Sequence, residues 1–133
     1  MTFLHYFLHL GLPLLIAWVF FRKNWKQAYL ILLATMLVDL DHLLAEPIFQ
    51  VDRCSIGFHP LHSPYLFPVY LLLWALPYPT LRLIGLGLTL HMLTDFIDCL
   101  GMYVRCAECQ HSSPIYPALQ YIGAIPSALS SEK

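Results

Sequence analysis

Charge is what this sequence has least of. Lys, Arg, Asp and Glu together make up 11% of its 133 residues, against about 25% in an ordinary soluble domain. The shortage excludes a solvated surface on every side of the molecule. The net charge of −1 gives nothing to attract nucleic acid. Positive charge is also missing ahead of the first apolar block. A secretory signal carries its positive charges in front and a small-residue cleavage site behind. Here Thr2 to Phe21 has no charged residue, and Arg22-Lys23-Asn24-Trp25-Lys26 follows it. The block reads as a retained span.

What is present is hydrophobic sequence, 59% of the chain, arranged in blocks. A span needs about 20 apolar residues to cross about 30 Å of hydrocarbon. The pattern predicts an all-α membrane protein, a bundle of four transmembrane helices at about 2–21, 27–46, 64–78 and 81–102, with an outer histidine-rich loop. The third segment is short and contains Pro68. It counts as a span because only four crossings bring the polar residues to one side. Residues 1–102 then form the transmembrane domain, and 103–133 an extracytoplasmic tail rich in Cys and Pro. Arg22, Lys23, Lys26 and Arg82 lie at one end, opposite Arg53, Arg105 and Lys133. The positive-inside rule places the first set in the cytoplasm, with both termini outside. The expected location is the bacterial inner membrane.

Six of the seven histidines and four of the five aspartates fall near the outer ends of these segments. His5 and His9 are four apart at the start of span one. Asp39, Asp41 and His42 close span two, in "VDLDHLL". His59 and His62 lie in the loop "FHPLHSP". His91, Asp95 and Asp98 form one stripe on span four. In a regular α-helix Asp41 points about 160° away from Asp39, which suits a supporting rather than a ligating carboxylate. Taken singly, the pieces have plainer readings: interfacial histidines, loop histidines, an Asp39–His42 hydrogen-bonded pair.

Ionisable groups inside a bilayer face the bundle interior and pair with one another. No Lys or Arg falls near these carboxylates, so a divalent cation is the natural counter-ion. Imidazole and carboxylate donors without thiolate suit zinc first, then manganese or iron. The donors suffice for one or two ions. The candidate metal ligands are His5, His9, Asp39, His42, His59, His62, His91 and Asp95. Asp41 and Asp98 are the candidate catalytic bases.

The motifs "HYFLHLGLP", "VDLDHLL", "FHPLHSP" and "LHMLTDFIDC" resemble those of small bacterial membrane-bound metal-dependent hydrolases, a group that includes LexA-regulated members and domains of unknown function. The resemblance covers residues 1 to about 100. It implies a metal-dependent hydrolase with Asp39, Asp41, His42, His59, His62, His91 and Asp95 at its metal or catalytic positions. Two features depart from the pattern: Val38 stands where larger relatives often carry Pro, and His59 and His62 are only three apart, without the Arg of the longer loop.

The expected activity is hydrolysis of a lipid-like ester, amide or phosphoester by metal-activated water at the outer leaflet. Alternatives are a non-catalytic or transport-related metal protein, a haem carrier using His9, His42 and His91, or a thiol-oxidising membrane protein. Membrane lipid is the expected partner; the oligomeric state is not legible. Cys54, Cys99, Cys106 and Cys109 all fall on the outer side and read as two disulfides of open connectivity, with a four-thiolate zinc site as the other possibility. In the tail, Pro114 and Pro117 argue against a helix at its start, residues 118–129 read as a short interfacial helix broken by Pro126, His111 reads as an exposed residue, and the closing Ser-Ser-Glu-Lys as disordered.

Overall fold

The computed structural model describes residues 3–48, 50 and 52–130, with side chains as far as residue 123. The terminal Ser131, Glu132 and Lys133, on which part of the disorder expectation falls, lie outside the described residues. The chain is all-helical, and among the described residues no strand is present.

Among the described residues three helices are long and apolar enough to cross a membrane: α1 (Phe3–Phe20), α2 (Arg22–Leu44) and, later in the chain, a 27-residue helix (Pro79–Arg105). At about 1.5 Å per residue each reaches roughly 27 Å or more. Their outward faces carry exposed large apolar side chains such as Trp18, Phe20, Leu30, Leu37 and Ile97, compatible with a membrane protein.

The third expected span is corrected. Only Phe67–Ala75, here α3, is helical; at about 1.5 Å per residue its nine residues cover less than half a bilayer. Proline sets both limits. Pro68 occupies its first turn, where a missing N–H costs nothing. Leu76 and Tyr78 precede Pro77 and Pro79 and are extended, the conformation a following proline favours. The chain then reverses into Pro79–Arg105, here α4. A short α3 suffices because the loop before it, with the turn Pro60–His62, packs its His62 against the middle of α4 rather than above it. His91 and Asp95 of α4 therefore meet His62 and Asp39, although among the described residues three long helices, not clearly four, are present.

Two glycines let α4 approach its neighbours closely. A Cβ on Gly85 would collide with the Trp74 amide nitrogen and lie 2.6 Å from the Leu73 carbonyl carbon, both backbone atoms of α3. A Cβ on Gly87 would lie 2.5 Å from Thr35 Oγ1 in α2. Below the polar layer, Ala17, Ala28, Leu32 and Leu83 pack α1, α2 and α4 together. Above it, Cys54, Ile56, Tyr70, Met92, Cys99 and Leu119 form a second cluster.

Both long N-terminal helices change type where they carry polar residues. Pro13 has no N–H to return to the His9 carbonyl, and the turn before it widens into a π-helix over Phe7–Gly11, with the Leu12 N–H bonded to the Phe7 carbonyl. Such turns re-aim side chains and recur at functional sites. In α2 the Thr35 hydroxyl donates to the Leu32 carbonyl at 2.6 Å, and from Thr35 to Leu44 the helix tightens to 3-10.

Disulfides join Cys54 to Cys99 and Cys106 to Cys109. The first ties the histidine-rich loop to α4. The tail forms a continuous helix, α5 (Tyr116–Ser130). Pro117 sits in its first turn, where proline is tolerated, so the helix starts two residues earlier than expected; it also continues through Pro126. Leu119 is fully buried against the upper cluster, so the tail packs on the bundle. His111 is exposed and lies against the Tyr116 ring.

Candidate metal centre

The polar layer is built around His62, which is completely buried. Its two ring nitrogens face opposite walls. The expected phase assumed a regular α-helix in which Asp39 and Asp41 point apart. The 3-10 geometry changes this: at three residues per turn, His42 stacks directly over Asp39, and the loop inserts His62 between the two carboxylates. His62 Nε2 lies 3.3 Å from Asp39 Oδ1, and His62 Nδ1 lies 3.1 Å from Asp41 Oδ2.

Four atoms converge on the Nε2 side. His62 Nε2 is 3.0 Å from His91 Nε2 and 3.1 Å from Asp95 Oδ2. His91 Nε2 is 3.2 Å from Asp39 Oδ1 and 3.5 Å from Asp95 Oδ2. A tetrahedron with ligands about 2.0–2.1 Å from its centre has edges of about 3.3–3.4 Å. The five separations from His62 and His91, 3.0–3.5 Å, lie near that spacing, and the donors come from α2, the loop and α4. Asp95 Oδ2 is buried and faces only the Nε2 atoms of His62 and His91 among its ionic partners, a position that suits a cation. Every ionic partner of these carboxylates among the described residues is a histidine. This buried group of two imidazoles and two carboxylates can hold a metal ion.

The remaining candidates surround the four. Asp41 is buried, and its oxygens are fully engaged. Oδ2 accepts from the Leu61 N–H at 2.7 Å and faces His62 Nδ1, and Oδ1 faces His42 Nδ1 at 3.1 Å. In this position Asp41, expected as a base, contacts His62 in the way carboxylates support histidines that hold a metal. A second group of potential donors, Asp41, His42 and His62, shares His62 with the first. His42 also meets Ser55 Oγ at 3.3 Å, and His59 stacks on the His42 ring at 3.7 Å. His59 is outside the converging set. On the opposite flank His9 Nε2 is 3.4 Å from Asp95 Oδ1 and its Nδ1 is buried without a partner. His5 Nδ1 pairs with Asp98 Oδ2 at 2.9 Å, at the exposed edge of the layer; Asp98 is therefore held by His5 rather than free.

The loop histidines have opposite electrostatics. For His62 burial works against the imidazolium, but hydrogen bonds and charge from Asp39, Asp95 and Asp41 outweigh it and raise its pKa to about 10. Without a metal, a proton on His62 is the cation these carboxylates require. For His59 burial disfavours charge, the adjacent His42 adds to this, and its pKa falls to about 4.

The family model for DUF6122, a family of unknown function, matches residues 1–102. The chain belongs to the DUF6122 family. The match covers every residue of the four-donor group and its flanking histidines, and leaves out the Cys106–Cys109 pair and α5. It names no activity, so the hydrolase reading of this DUF6122 chain rests on the motif resemblance and the site's chemistry. No curated protein and no solved structure matches it.

Ser55, Leu61 and Tyr70 are absent from the sequence-based site. Tyr70 donates its hydroxyl to the Leu61 carbonyl at 2.8 Å, fixing the residue whose N–H anchors Asp41. Nothing in the pattern marks these contacts, which depend on how the loop returns. The paired glycines of "IGLGL" were the one available signal that α4 is approached closely there.

Proposed function

We propose that the chain is a multi-pass membrane protein holding one divalent cation, zinc in the first instance, through His62, His91, Asp39 and Asp95. The observation that supports it is the set of 3.0–3.5 Å separations among four donors from three elements. Arg22, Lys23, Lys26 and Arg82 at the far end favour an extracytoplasmic centre in the inner membrane.

We further propose that the centre hydrolyses a lipid-like ester, amide or phosphoester. A cavity of about 340 Å³ borders it. Its lining combines His5, His9, Asp39 and Asp95 with the apolar Met36, Leu40 and Leu43. That pairing suits an amphiphile with its polar linkage at the ion and its chain along α2. When bound, an ion would supply Lewis-acid polarisation and would acidify water. His9, buried and unpartnered at Nδ1, replaces Asp41 as the proton acceptor, and Asp98 with His5 passes the proton to the surface.

A specific observation favours a second reading: four protein donors are available to a single ion, and structural metal sites are closed by four protein ligands. One experiment separates the two. Metal content is measured for the wild type, His62→Ala and His91→Ala in detergent, and each is assayed on micellar ester, amide and phosphodiester lipids. One ion per wild-type chain, lost in both variants along with hydrolysis, supports the enzyme. An ion with no turnover on any substrate supports a non-catalytic role. Equal metal content in all three proteins refutes the centre itself.

A further inference from the structure

The second disulfide is not accounted for by the metal centre. Cys106 and Cys109 are three residues apart, whereas Cys54 and Cys99 are 45 apart. In the chain-entropy account a cross-link stabilises by constraining the unfolded chain, more so for longer loops. Cys106–Cys109 closes almost the smallest loop available, so stability explains it poorly. The two bonds also differ in access. Cys54 and Cys99 are 4% and 1% exposed in the upper core. Cys109 is exposed and Cys106 half-buried, after the end of α4. The Cys109 N–H points at Cys106 Sγ, 3.2 Å away, a donor placed to stabilise a thiolate there. Beside Cys109 lies a cavity of about 370 Å³ walled by Gln50, Arg53, Phe58, Ser112 and Ser113. Buried Gln110 fixes the segment by donating to the Asp52 carbonyl at 2.6 Å.

We propose that Cys106–Cys109 is a thiol–disulfide exchange site for a dithiol-bearing polypeptide, and that Cys54–Cys99 is an inert structural bond. A thiolate of the incoming dithiol attacks the exposed Cys109 Sγ. The Cys106–Cys109 bond breaks, and Cys106 leaves as a thiolate accepting the Cys109 N–H. The second thiolate of the partner attacks the mixed disulfide and expels Cys109. The partner gains a disulfide and gives up two electrons. Cys106 and Cys109 become thiols, taking up the two protons the partner released. The smaller charge density of a hydrogen-bonded leaving sulfur favours this direction of attack, because lower-pKa thiols leave faster. The Cys106–Cys109 pair lies outside residues 1–102 and touches none of the four proposed metal donors.

The test uses the full chain in detergent micelles. It is exposed natively to graded reduced glutathione, quenched with acid, alkylated and mapped by mass spectrometry. Cys106 and Cys109 are expected to label fully while Cys54 and Cys99 stay paired; simultaneous labelling of all four overturns the proposal. A short reduced dithiol peptide should be oxidised at one disulfide per chain, and no oxidation likewise overturns it. Single variants probe the N–H. The thiol of Cys106 in Cys109→Ser should react with an aromatic disulfide down to lower pH than that of Cys109 in Cys106→Ser. The reverse order removes the role given to the backbone donor.

Discussion

Asp41 gives the sharpest test of how the centre is held, because it touches no proposed ion and yet should control binding. It accepts from the Leu61 N–H at 2.7 Å and faces His62 Nδ1 and His42 Nδ1 at 3.1 Å each. Asp41→Asn keeps the shape and one carbonyl oxygen. That oxygen can still serve Leu61 and His62, since His42 can present its other tautomer to the new amide. What is lost is the negative charge that makes His62 a better ligand. Asp41→Ala removes the orientation as well and strands the Leu61 N–H. Carboxylates behind metal-ligating histidines are worth about 10–100-fold in affinity, or about 1.4–2.7 kcal/mol. The Asn variant is expected at the lower end and the Ala variant at the upper. Asp98→Asn, which disturbs only the outer pair with His5, should bind nearly as the wild type. The assay is competition between apo-protein in micelles and a chelating zinc indicator, with far-ultraviolet circular dichroism confirming that each variant is helical. Wild-type affinity in Asp41→Ala, or an equal loss in Asp98→Asn, would refute the arrangement.

Three other outcomes follow from the structure. His62 is held protonated up to about pH 10 in the apo-protein, and an ion must displace that proton, so apparent affinity should rise with pH, approaching tenfold per unit, and level off near 10; a flat profile in the same competition assay contradicts this. Because the folded pKa lies above the unfolded value of 6.5, the charged His62 stabilises the apo-fold below pH 6.5 and the gain is lost as pH rises to about 10; apo melting temperature should fall across that window, and a rise would contradict the assignment. Gly85→Ala should destabilise despite the helix propensity of about 1 kcal/mol favouring Ala, because the added methyl meets the α3 backbone and such overpacking costs about 1–3 kcal/mol; denaturant titration in micelles reads the sign, and a stabilised variant would disprove the close approach.

The sequence-level reading carried furthest where a single helix set the geometry. His91 and Asp95 are four apart on an uninterrupted α-helix, so their common face follows from periodicity. Asp39 and Asp41 were harder, because the helix tightens to 3-10 from Thr35, whose hydroxyl bonds back to the Leu32 carbonyl. The tightening rotates the phase on which the separation of the two carboxylates was argued. The loop spacing of His59 and His62 looked equivalent from sequence. Only the fold buries one between two carboxylates and stacks the other on His42. The third segment failed as a span for a local reason, the Pro77 and Pro79 pair, which was readable, combined with a tertiary one, the depth reached by the loop before it, which was not. His5 and His9 were grouped by regular α spacing, whereas the π turn imposed by Pro13 directs His9 to Asp95 and leaves His5 with Asp98.

The central claim is that two imidazoles and two carboxylates from three separate elements share one cation. X-ray absorption at the metal edge of the purified wild-type protein tests it most directly. One ion per chain, with two imidazole nitrogens and two carboxylate oxygens at about 2.0–2.1 Å, is the predicted result. A sulfur shell, a shell lacking imidazole scattering, or a chain that stays metal-free when offered zinc, manganese or iron would contradict it.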